Sequence, residues 1–144
     1  WGSLTFPTNI GVGGRGYTGG AAATNYGGGS IKLTVSGLTT VNGTISANGK
    51  GSHANLNGGA SGGGIMLITS NLAGSGTMQV AGGAGEYNGS SSGGGGGRIG
   101  VHLTGSESFG SVVMTAFGGP GGNDDGAAGT VYRQTASQGA GRGQ

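Results

Sequence analysis

The chain has 144 residues, of which 42 are glycine and only 7% are charged. With two prolines and no Gly-X-Y period, that glycine content excludes collagen, and a scattered net charge of +2 leaves no nucleic-acid footprint. The absence of cysteine excludes disulfides and thiolate zinc sites, and no apolar run is long enough to span a bilayer.

Taken in order, Trp1–Thr8 reads as the end of a broken unit, because Leu4 lies 34 residues before Leu38 and Leu38 lies 34 before Leu72. An apolar-alternating stretch at Asn9–Val12 follows, and then a loop, Gly13–Gly29, with Tyr17 and Tyr26. From Gly28 the pattern becomes clear. Ile31, Leu33 and Val35 alternate with Lys32, Thr34 and Ser36, which is the period of a strand with one buried face. A short link leads to a second alternating stretch at Thr44–Ala47, and a glycine-rich run returns the chain to its starting phase.

This unit recurs. The first strand (a) reappears at Ile31, Ile65, Ile99 and Val131, with spacings of 34, 34 and 32. The second strand (b) reappears at Ile10/Val12, Ile45/Ala47, Met78/Val80 and Met114/Ala116, with spacings of 35, 33 and 36. A fixed period of this length belongs to solenoids and arrays. The expected architecture is a single all-β repeat domain over residues 1–144, with partial units 1–29 and 130–144 around units 30–63, 64–97 and 98–129. Its expected form is a β-solenoid-like stack of two short parallel sheets, with the a and b strands facing across a thin core. An antiparallel sandwich or meander, with each a–b pair a hairpin, is the alternative. Inward positions are Ile31/Leu33/Val35, Ile65/Leu67 and Ile99/Val101/Leu103, opposite the b-strand residues named above. Absent side chains also allow the glycine runs to lie side by side as extended polyproline-II segments.

Chemistry is sparse. Gly11–Gly16 matches G-x-G-x-x-G, but no helix pattern follows to receive a phosphate. Gly118–Asn123 nearly matches a calcium-binding nonapeptide but does not recur in tandem, so no metal or other cofactor is expected. His53, His102, Glu86, Glu107, Asp124 and Asp125 fall at different phases of the repeat, which pairs no carboxylates and supplies no base for a serine. The expectation is a non-enzyme. Tyr17, Tyr26 and Tyr87 are candidate surface contacts for a sugar or a neighbouring subunit, and Asn42 and Asn88 sit in glycosylation sequons.

The residues Gly28–Leu33, Gly43–Gly49, Gly62–Leu67, Gly76–Gly83 and Gly94–Val101 resemble the glycine-rich tandem repeats of large secreted and cell-surface proteins, the β-solenoid type found in fibres and adhesins. The resemblance implies an extracellular structural role and transfers no functional residue.

Two functions follow as expectations. The first is a structural subunit of an extracellular filament, a homopolymer built head-to-tail through open sheet edges, because both ends of the chain stand at one phase of the repeat without a polar cap. Its interface would hold Trp1, Leu4, Phe6, Ile10 and Val12 at one end and Val131, Tyr132 and Arg133 at the other. The second is a non-enzymatic adhesin or fibre-tip module whose glycine loops contact glycans or a surface receptor. Neither involves nucleic acid or a membrane span.

Overall fold

The computed structural model describes residues 2–14, 25–52, 58–86, 91–139 and 142–143. Seven strands form without a helix among these residues: β1 (Ser30–Thr40), β2 (Thr44–Ser46), β3 (Gly64–Ala73), β4 (Thr77–Gln79), β5 (Arg98–Leu103), β6 (Val113–Thr115) and β7 (Thr130–Gln134). The odd-numbered strands make one sheet in the order β1-β3-β5-β7, and the even-numbered ones make a second in the order β2-β4-β6. All pairings are parallel, so the antiparallel alternative is excluded.

The sequence period is the strand ladder itself. Ile31, Ile65, Ile99 and Val131 stand side by side across the first sheet, as Ile45, Met78 and Met114 do across the second. Like residues therefore sit next to like, and one alternating pattern buries one face of every strand. The core between the sheets contains Ile65, Leu67, Ile99, Val101 and Leu103 from the first and Ala47, Met78, Val80 and Ala116 from the second. Ile31, Ile45, Met114 and Val131 pack at its margins. Leu33 and Val35, expected inside, are 36% exposed, because β1 is an edge strand with a neighbour on one side only.

A short link joins each a strand to its b strand, and its backbone is paired with the neighbouring links. Val41 N–H donates to Ala73 O, Gly76 N–H to Val41 O and Val113 N–H to Gly76 O. Gly74 holds φ at +106° against the Val41 carbonyl, a conformation that side chains disfavour and that leaves no room for one. The fully buried Thr69 is satisfied locally: its Oγ1 donates to the Gly37 carbonyl and accepts from Thr39 Oγ1, each at 2.8 Å.

The glycine runs form a third layer with its own rule. In the run 59–64, Gly59 and Gly62 donate to Ser92 O and Gly95 O of the next unit. Ala60 and Gly63 donate to Lys50 O and Ala47 O, and Ser61 and Gly64 donate to Val12 O and Gly29 O. In the first two pairs, donors three apart thus reach the same neighbouring segment, and successive donors point in three directions. Gly93/Gly96 and Gly94/Gly97 repeat the scheme one unit along. Three residues per turn, with no bond inside a run, is the geometry of polyproline II, and none of these glycines has a positive φ. The runs touch backbone to backbone. A Cβ on Gly97 would collide with the Gly63 carbonyl, and one on Gly63 with the Gly29 carbonyl.

The expectation of a b strand at Asn9–Val12 needs correction. These residues join neither sheet, and the second sheet has three strands instead of four. Their backbone is satisfied elsewhere. Gly11 N–H donates to Gly28 O, Val12 N–H donates to Ser61 Oγ, and Ser61 N–H donates to Val12 O. Gly11 and Gly14 approach the glycine layer so closely that side chains would not fit, which draws the segment there in place of the sheet.

Candidate assembly surfaces

Among the described residues, each sheet has two outer strands that pair with a strand on one side only. In the first sheet these are β1, eleven residues long, and β7, five residues long. In the second they are β2 and β6. Unpaired strand edges recruit further strands unless charge, proline or a covering segment blocks them. On β1 the one charged side chain is Lys32, and the strand contains no proline. On β7 it is Arg133, whose guanidinium lies 5.3 Å from the centre of the Phe109 ring. Gly143 lies beside β7 as well, donating from its N–H to Tyr132 Oη at 2.9 Å.

The core is open at the β6–β7 end. A cavity of about 290 Å³ is lined by Val112, Met114, Val131 and Arg133. On and just after β6, Val113 and Phe117 are 52% and 66% exposed.

The segment before β1 occupies a place that phase alone did not give. Residues 2–9 run across the outer face of the first sheet. Pro7 Cδ lies over Gly100, and the carbonyls of Pro7 and Asn9 pass over Gly64. His102 Nε2 is 2.7 Å from Thr5 O. Phe6, His102 and Tyr132 form a run of rings with centroids 4.6 and 5.4 Å apart. Two residues expected at opposite ends of the molecule, Phe6 and Tyr132, are thereby brought to one surface by His102. The signal for this cover was present in β3, where the outward Met66 and Ile68 are as apolar as the inward Ile65 and Leu67. Met66 is fully buried.

Of the other expected interface residues, Leu4, Ile10 and Val12 are 57%, 73% and 69% exposed, while Val131 is half-buried and Arg133 exposed. Tyr26 stands 68% exposed with the Lys50 ammonium 5.7 Å from its ring centre. Asn42 is exposed in the β1–β2 link. Trp1, Tyr17, His53, Tyr87 and Asn88 lie outside the described residues.

Sequence reading also missed a clamp. Glu107 accepts from the Ser137 N–H and the Ser137 hydroxyl, both at 2.8 Å, and so ties the turn after β7 to the link after β5. The Ser137 and Thr135 hydroxyls hold its carboxyl below the usual range. A carboxylate with a depressed folded-state pKa contributes stability above its unfolded value and loses it as pH falls through the folded value. The Ser137 amide should therefore be protected from hydrogen exchange at neutral pH and lose that protection as acid protonates the carboxylate, below the ordinary carboxylate range. In Glu107→Gln the pH dependence should vanish; its persistence would refute the assignment.

Among the described residues, no three His, Asp or Glu side chains are placed to hold a metal ion, and no helix is long and apolar enough to cross a membrane. Comparison of the chain with protein-family models, curated proteins and solved structures gives no match.

Proposed function

We propose that this protein is a structural, non-catalytic subunit of an extracellular filament, wound as a solenoid of four turns of about 34 residues. Subunits add head-to-tail, β7 of one pairing in parallel with β1 of the next. The observation that carries this reading is the register. The whole first sheet is one ladder of equivalent residues, Ile31 to Val131, and among the described residues no strand pairs with the outer side of β1 or β7. A further β1 beside β7 would extend the row by the same rule, placing Ile31 next to Val131. Such a contact joins two different surfaces and does not close, which produces fibres. The low charge of the chain suits close packing of identical surfaces.

Strands spaced at about 4.8 Å and added four at a time give a rise of roughly 19 Å per subunit. Negative-stain images of purified protein should show long fibres, and helical reconstruction should return that rise. Discrete particles, or subunits arranged antiparallel, would refute the proposal. Discrete particles would instead favour a binding module, for which exposed Tyr26 beside Lys50 offers a stacking platform to a glycan.

A further inference from the structure

The two sheets do not match in strand number, and one segment of the chain has lost the place its phase assigns it. The first sheet has four strands and the second three. Beyond β6 no described strand covers the core, and Met114 and Val131 line the 290 Å³ cavity. In a head-to-tail junction, β1 of the following copy lies against β7. The second sheet then keeps a gap one strand wide between β6 of one copy and β2 of the next.

Thr8–Val12 carries the pattern of a b strand. Ile10 stands 35 residues before Ile45 and Val12 35 before Ala47, so the segment would extend the row Ile45, Met78, Met114. Within its own subunit the segment does not use this pattern: Ile10 and Val12 are 73% and 69% exposed. A strand-wide gap with an apolar floor and an unused strand of the right phase complement each other.

We propose that in the filament Thr8–Val12 of each copy becomes the fourth strand of the second sheet, lying between its own β2 and β6 of the preceding copy. The inference rests on the filament reading. Ile10 and Val12 turn inward against Met114 and Val131, and Asn9 and Gly11 face out. The bonds to Gly28 and Ser61, and the seat of the Asn9 carbonyl over Gly64, which hold the segment in the single subunit, are exchanged for ladder bonds on both sides. The gap is incomplete without the second copy, so segment and assembly order together.

The test uses the full chain, which has no cysteine of its own. In the proposed register, Asn9 of one copy is the lateral neighbour of Val113 of the preceding one, at about 4.8 Å, within disulfide reach. Asn9→Cys and Val113→Cys proteins, mixed during assembly and oxidised, should give a covalent heterodimer on a non-reducing gel. The double variant should give a ladder of multimers, and either single variant alone neither product. Fibres without this cross-link would overturn the inference and leave the filament reading intact. So would a Thr44→Cys/Val113→Cys ladder, which requires β6 and β2 to pair directly. Dispersed wild-type particles would remove both. A reconstruction of wild-type fibres reads the same point without substitutions: four strands per subunit in each sheet are expected, and four against three refutes the exchange.

Discussion

Ile99→Asp should leave the chain largely unfolded at room temperature, while Lys32→Ser should change stability by no more than about 0.5 kcal/mol. Ile99 is fully buried on β5, flanked by Ile65 and Val131 in the first sheet. It belongs to the core that Met78 and Val80 reach from the second sheet. The side chains of that cluster are all apolar, so a carboxylate there must either stay ionised in apolar surroundings or take up a proton. Either route costs several kcal/mol, on the order of 4 or more. A domain has only about 5–15 kcal/mol to lose. Lys32 is one residue from the inward Ile31, yet it points to solvent. Urea midpoints of the two variants decide the matter. Equal midpoints would mean that the assigned faces of the strands are wrong.

Gly97→Ala should be nearly as damaging, although it adds one methyl group to a chain rich in alanine. The new Cβ would meet the Gly63 carbonyl, which also accepts from the Arg98 N–H and so opens the β3–β5 ladder. No flexible side chain stands there to yield; both partners are backbone. A loss of about 3 kcal/mol is expected, at the upper end for overpacking. Gly37→Ala supplies the control, because a Cβ at that position meets nothing within 4 Å. A freely accommodated alanine should be neutral or stabilise by up to about 1 kcal/mol through the unfolded chain. Thermal melts of the pair should separate clearly. Similar melts would show that the glycine layer is not close-packed.

The strands and their faces could be read from the sequence because their information is carried by side chains. Ile31, Ile65 and Ile99 announce both the period and the buried face, and the parallel pairing follows from stacking equal phases. The glycine layer was legible only as a permitted conformation. A run such as Gly93–Gly97 has no side chains to carry a pattern, and its order resides in which N–H meets which carbonyl. Phase misled at Asn9–Val12. Its alternation matches the b strands, but Gly11, Gly13 and Gly14 let the backbone sink into the glycine layer, and Ser61 answers both polar groups of Val12. The cover over His102 lay in a feature that period counting discards, the apolar outward positions of β3. The Glu107 clamp links two stretches outside the strands, where the repeat makes no prediction.

The period-three bonding of the glycine runs also shapes how stability depends on temperature. Unfolding a conventional core exposes mostly hydrocarbon, which raises the heat capacity, whereas exposing peptide groups lowers it. In this molecule a large part of the ordered chain is held by contacts between peptide groups such as Gly94 N–H to Gly83 O and Gly126 N–H to Gly119 O. The heat capacity of unfolding per residue accordingly falls below the usual value of about 12–15 cal/mol/K, and the free-energy curve flattens. A flat curve keeps its margin over a wider span of temperature than a domain of equal peak stability built on hydrocarbon alone.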